Sequence, residues 1–198
     1  MSRSKSDEGV TAASFEANLS AEIAPYLNQQ SYPPVHQWHP PYCGEIEMRI
    51  AADGRWFYMG SPIVRTAMVK LFASVLRLDD DGHYYLVTPV EKVRIQVEDA
   101  PLLIVDMVIE QDEQDRDQLI FKTTVDDWVR ADRDHPIEMR LYQNQQRPYI
   151  CVRDNLWALI HRNLFYRLVE CAVVKGDRLF LESATAQFDL GCIHEGGS

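Results

Sequence analysis

The 198-residue sequence predicts an α+β fold with a two-part core, each part a hairpin–helix–hairpin unit, preceded by an N-terminal amphipathic helix. Three observations predict it. Ile46-Glu47-Met48-Arg49-Ile50 returns ninety-one residues later as Ile137-Glu138-Met139-Arg140-Leu141, and Tyr58 falls on Tyr149 at that spacing. A helical apolar stripe (Val64, Leu71, Phe72, Val75, Leu76) falls on Trp157, Leu164, Phe165, Leu168 and Val169 at ninety-three. Gly82 matches Gly176 at ninety-four, and Val93 and Ile95 match Phe188 and Leu190 at ninety-five. Offsets that widen by one or two at each loop are what small insertions between two copies produce.

Composition narrows the function classes. With 46% apolar and 25% charged residues the chain reads as an ordinary globular protein. A net charge of −10 argues against non-specific nucleic-acid binding, which needs lysine and arginine to neutralise phosphates. No apolar run approaches the roughly 18 residues of a membrane span, and the hydrophilic start lacks a signal-peptide core. A cytoplasmic, membrane-free location is expected. Cys43, Cys151, Cys171 and Cys192 show no paired spacing and read as small hydrophobes in a reducing compartment.

Taken in order, residues 1–11 read as a disordered polar tail and residues 12–44 as the N-terminal helix and a proline-rich strap. Phe15, Leu19, Ile23 and Leu27 form the helix stripe. In the strap, Trp38 and Tyr42 are the expected apolar anchors. The first repeat half spans residues 45–99. It opens with a hairpin over Ala52-Asp53-Gly54, and a helix is expected from Ser61 as N-cap and Pro62 at the first position. Asp79-Asp80-Asp81-Gly82 should be solvated loop. The second half spans residues 100–198. It opens with strands at 102–110 and 118–124, passes Trp128 in a short turn, and enters the second copy at Ile137. A helix is expected from Asp154 to about Val169, with strands near 178–182 and 186–190.

Candidate chemistry gathers at the two helix starts. Free N–H groups after Ser61, the positive end of the helix dipole and Arg65 one turn on suit an anion. The matching place in the second copy holds Arg153 and Asn155, with His161 two turns later. Plain capping by Ser61 and Asp154 accounts for the same residues without a ligand. Arg49 and Arg140 occupy equivalent places and should share a face with Glu47 and Glu138. His36, His39 and Cys43 supply three metal-type ligands without a fourth, so no metal is expected, and no cofactor motif is present. The sequence has no GxSxG, P-loop, GxGxxG or HExxH, which weighs against an enzyme.

Several runs carry a resemblance: Trp38-x-Pro-x-x-Cys43-Gly44-x-Ile46-x-Met48-Arg49, Asp53-Gly54-x-Trp56-x-Tyr58-x-Gly60-Ser61-Pro62-Ile63-x-Arg65, Met68-Val69-Lys70-Leu71-Phe72-Ala73, Leu86 to Lys92, and Val97 to Pro101. From about residue 30 onward the chain resembles a bacterial family of unknown function, domain of unknown function 1285. The resemblance implies an α+β fold with a duplicated core and a second half superficially like a pleckstrin-homology domain. It also implies a ligand pocket between the halves, for a nucleotide-like molecule, and a role in signalling. The leading expectation is therefore a non-enzymatic protein binding a small anionic ligand between the halves, at Arg49, Trp56, Tyr58, Ser61, Arg65, Arg153 and Asn155. A protein-interaction module with no small ligand is the alternative, and an uncharacterised enzyme a second.

Overall fold

The computed structural model describes Ile23 and residues 32–192. The expected tail over residues 1–11 lies outside them. So does the expected N-terminal helix, apart from Ile23, which is helical and fully buried. The chain divides into two compact units, Met1–Arg49 with Arg55–Gln96, and Ile50–Gly54 with Val97–Ser198.

In the first unit a strap with a 3-10 turn at Val35–Gln37 leads into strands β1 (Tyr42–Ile50), β2 (Trp56–Tyr58) and β3 (Ser61–Pro62). Helix α1 (Thr66–Ser74) follows, then β4 (Leu76–Leu78), β5 (Tyr84–Val87) and β6 (Lys92–Val97). All six strands join one sheet in the order β3-β2-β1-β6-β5-β4. Alternation sorts β1: Ile46 and Met48 are buried, while Glu47 and Arg49 face outward. Trp56 stacks on Phe72 of α1 with ring centroids 6.1 Å apart, and both are core residues.

The helix does not start at Ser61. Met59 and Gly60 both take positive φ (48° and 73°), so the chain makes a tight hairpin turn and Ser61 pairs with Tyr58. Pro62 lies on an edge strand, where its missing N–H leaves no ladder position empty. Arg65 becomes the N-cap, without a side-chain cap bond.

Of the two expected anchors of the strap, Trp38 is half-buried and Tyr42 is exposed, set against the edge of Tyr85. The Arg77 guanidinium also ties the strap, donating to the Val35 and Trp38 carbonyls at 2.7 and 2.8 Å. Asp79, expected in solvent, is largely enclosed and paired with Arg77 and Lys92. Asp81 accepts from the Tyr85 hydroxyl at 2.6 Å, which pushes that phenol up to about 12.

The second unit opens with β7 (Leu102–Gln111), β8 (Asp117–Thr123) and β9 (Trp128–Arg130), so Trp128 stands on a strand rather than in a turn. Next come β10 (Ile137–Tyr142), β11 (Gln145–Arg153), β12 (Leu156–Ile160), α2 (Arg162–Cys171), β13 (Val173–Lys175), β14 (Arg178–Ser183) and β15 (Ala186–Cys192). Six strands form a sheet in the order β10-β11-β12-β7-β8-β9, and β13-β14-β15 form another.

Within this unit the sheets curl together. β10 runs beside β15. At the far end the Ser183 hydroxyl donates to the Ala131 carbonyl (2.7 Å) and accepts from the Leu119 N–H (3.0 Å). Ile104, Phe121, Ile150, Ala158, Leu168 and Leu181 fill the core.

The expected helix from Asp154 is also corrected. Asp154 takes φ 46°, Arg153 pairs with Leu156, and Leu156–Ile160 alternates buried and half-buried as a strand beside β7. Helix α2 begins eight residues after Asp154, at Arg162.

Candidate functional site

The seven residues expected to hold an anion fall into both units. Trp56 is spent on the core, stacked on Phe72. Arg49 lies over the Phe57 ring at 4.4 Å and lines a hollow of about 130 Å³ with Glu47 and Gln96, below the 300–1,000 Å³ usual for ligand pockets. Ser61 and Arg65 are exposed, and Tyr58 is half-buried on β2. In the second unit Arg153 is enclosed and donates to Asp127 at 2.9 Å, while Asn155 is exposed in the β11–β12 turn.

Burial pushes the Asp127 carboxyl up more than the Arg153 charge pulls it down, and burial likewise lowers Arg153. The pair links the last residue of β11 to the β8–β9 turn. Arg140 does share a face with Glu138, but the ion pair runs along the strand at 2.9 Å, and its guanidinium lies 3.4 Å from the centre of the Trp157 ring.

The cysteines differ from expectation: Cys43, Cys171 and Cys192 are exposed, and only Cys151 is buried, which raises its thiol pKa. Among the described residues no three His, Cys, Asp or Glu side chains gather as a metal requires.

A larger cavity, of about 700 Å³, lies wholly in the second unit. Strand register builds it. Tyr149 of β11 faces Leu159 of β12, and Leu159 faces Leu103 of β7. Continuing the first ladder by two residues sets Arg147 beside His161, where β12 gives way to α2. The floor is therefore apolar (Leu103, Pro148, Leu159, Ile160), Phe165 and Tyr166 of α2 form a wall, and Gln145, Gln146, Arg147, His161 and Arg162 supply polar groups.

The opposite wall is the β1–β2 turn, Ala52 and Asp53. The Ala52 N–H donates to the Glu98 carboxylate at 2.9 Å, and the Glu98 N–H donates to the Ile50 carbonyl at 3.0 Å. Gly54 takes φ +79°, and a Cβ there would meet Leu103 Cβ at 3.0 Å, so only glycine lets the turn come this close.

The polar groups are fixed by their neighbours. Arg147 donates to Asp99 at 2.9 Å and lies over Tyr142, and the Tyr149 hydroxyl donates to the same carboxylate at 2.6 Å. Burial and that hydrogen bond push the Tyr149 phenol well above its usual value. Arg162 Nε donates to the Tyr166 hydroxyl at 2.8 Å. His161 caps α2 by accepting the Asn163 N–H at Nδ1, so the neutral ring carries its hydrogen on Nε2.

The walls contain none of the seven expected residues. Sequence reasoning noted His161 but placed it mid-helix, and it passed over Arg147 and Arg162. The His161-Arg162-Asn163 run becomes a helix-start signal only once Leu156–Ile160 is recognised as a strand.

Comparison with known proteins adds the lineage. The DUF1285 N-terminal domain matches residues 33–100, and the DUF1285 C-terminal domain matches residues 101–190. The chain belongs to the DUF1285 family. A DUF1285 protein of Silicibacter pomeroyi DSS-3 is 42% identical over 85% of this chain and 92% of its own, with a TM-score of 0.78. A DUF1285 protein of Shewanella baltica OS155 is 37% identical over 62% of this chain and 90% of its own, with a TM-score of 0.50. No curated protein matches. In this DUF1285 chain the cavity draws on the C-terminal domain, with Ala52 and Asp53 added from the N-terminal one.

Proposed function

We propose that the protein is a non-enzymatic member of the DUF1285 family that binds a small anionic molecule in the cavity of its second unit. One observation carries the reading: a space of about 700 Å³ with an apolar floor, onto whose rim Arg147, His161 and Arg162 converge at the start of α2. Such a volume with few, fixed polar groups is what small-molecule sites share, and a helix start beside arginines favours an anion. The curled sheets and helix α2 support likening this unit to a pleckstrin-homology domain. With that likeness goes a signalling role, in which a protein partner senses the filled cavity. No helix among the described residues is long and apolar enough to cross a membrane.

The test is a thermal-shift panel of carboxylates, phosphorylated metabolites and nucleotides. A ligand at a hundred times its dissociation constant stabilises by about 2.7 kcal/mol. At roughly 2–4 °C per kcal/mol for a chain of this size, the transition should rise by roughly 5–10 °C. Arg162→Ala, an exposed position, should abolish the shift while leaving the unliganded transition in place. Silence across the panel would refute the reading.

A second reading, a protein-interaction module, draws on a groove of about 490 Å³ in which Trp128, 54% exposed on edge strand β9, stands beside Val108 and Ile120.

A further inference from the structure

The distribution of charge and apolar surface around the cavity says more than that an anion fits. By register, the cationic side chains and the imidazole stand at one end, where Arg147 meets His161 and Arg162 opens α2. Behind them the Leu159–Leu103 pair forms the floor, and Phe165 lies one helical turn on from Arg162. A ligand using the whole space is therefore charged at one end and apolar along the rest.

Charge counting then limits the head. Two guanidiniums reach the walls, Arg147 and Arg162, but Asp99 already takes one from Arg147 at 2.9 Å, and Asp53 stands on the facing wall. Two cations against these two carboxylates, with the Glu98 carboxylate also held on the Ala52 N–H, leave no net positive charge for a polyanion. What is added is the positive end of α2 and the Nε2–H of His161, whose Nδ1 is engaged as the helix cap. That complement suits a single negative charge.

We infer that the cavity selects an amphipathic monoanion, a carboxylate on a medium-length hydrocarbon body, over multiply charged phosphate esters. The inference rests on the proposed function and narrows it. The carboxylate sits between Arg162 and the His161 Nε2–H, and its chain lies along Leu159 and Leu103 against Phe165. No bond is made or broken.

Titration calorimetry of the full chain with butanoate, hexanoate, octanoate and decanoate, each below its micelle concentration, tests this. Each methylene buried should tighten binding about fourfold, the equivalent of about 0.8 kcal/mol, until the cavity is full. Leu159→Gln should flatten that increment, with its melting curve showing that the chain is still folded. Arg162→Ala should weaken every member of the series by a similar factor. Nucleoside di- and triphosphates should bind more weakly than octanoate.

Phosphate esters binding more tightly than octanoate would overturn this inference and leave the anion-binding function standing. A carboxylate series without chain-length dependence, or one that Leu159→Gln leaves unchanged, would do the same. Failure of every carboxylate and every phosphate to bind would overturn both.

Discussion

The first unit runs three strands, a helix and three strands, and the second repeats that order from β10 after opening with β7, β8 and β9. The cavity of about 700 Å³ lies in the second, where the first has a hollow of about 130 Å³. In the first unit β3 is two residues long and ends the sheet. Its counterpart β12 has five residues, long enough for β7 to pair beside it in parallel and bring β8 and β9 along. The strand that ends a sheet in one unit becomes an interior strand in the other. Its last residue then hands over to a helix whose first turn faces an apolar floor. Helix starts differ accordingly: Arg65 gives α1 no side-chain cap, whereas His161 caps α2 and lines the cavity. The longer strand, together with the added β7 beside it, sets this container apart from the repeated motif.

The largest effect that tests this contrast comes from the unit without the cavity. Phe72 is fully buried, and Phe72→Ala should cost about 3–5 kcal/mol. Because the cavity walls belong to the second unit, anion binding measured below the lowered transition should stay within about twofold of the parent. Calorimetry beside a binding titration reads both. Binding lost along with stability would break the contrast.

A pair of glycines sharpens it with smaller effects. Gly60 and Gly54 both take positive φ, so alanine at either carries the left-handed penalty of about 1–2 kcal/mol. At Gly60 a Cβ meets open space. At Gly54 it meets Leu103 Cβ at 3.0 Å, against the cavity floor. Gly54→Ala should therefore destabilise more than Gly60→Ala and also weaken the ligand, with Gly60→Ala leaving binding unchanged. Equal losses of stability with intact binding in both would show that the turn's close approach does not shape the cavity.

These sites also mark where the sequence was legible. Alternation in Ile46 to Ile50 and Ile137 to Leu141 identified both strands and their outward arginines, because a period of two survives in any sheet with one buried face. The helices were harder. Matching apolar stripes at ninety-three aligned Leu71 with Leu164, but β13 begins ninety-seven residues after β4, about one helical turn more. An i, i+4 stripe looks the same after a four-residue slip, so periodicity finds the face and loses the start. Leu156 to Ile160 suits helix or strand equally, and only the left-handed turn at Asp154 decides it. With the helix expected from Asp154, the residues read at its start are Arg153 and Asn155, whereas the start observed is at His161 and Arg162. Arg147 was out of reach for another reason: its place depends on Asp99, forty-eight residues away.

One enclosed aspartate in each unit gives a further contrast, and the signs are opposite. Burial pushes Asp79 up, but hydrogen bonds from Arg77 and Lys92 outweigh it and hold the carboxyl below its usual 3.8. Asp127 has a single cation, Arg153, and burial wins, so its carboxyl sits above 3.8. A lowered value contributes stability that is present above 3.8 and is lost as pH falls through the folded value. A raised one contributes stability present below 3.8 and lost as pH rises through the folded value, so the ionised form is a burden at neutral pH. Asparagine imitates the protonated acid in both places. Asp79→Asn should destabilise at pH 7 by about 1–3 kcal/mol, the worth of charge-assisted hydrogen bonds, and the gap should close as pH falls below 3.8. Asp127→Asn should leave stability at pH 7 unchanged or slightly raised, and its gap should also close in acid. Urea unfolding at several pH values measures both. A loss of about 3–5 kcal/mol for Asp127→Asn at pH 7 would mean that the uncompensated Arg153 charge dominates, and the two aspartates would then titrate alike.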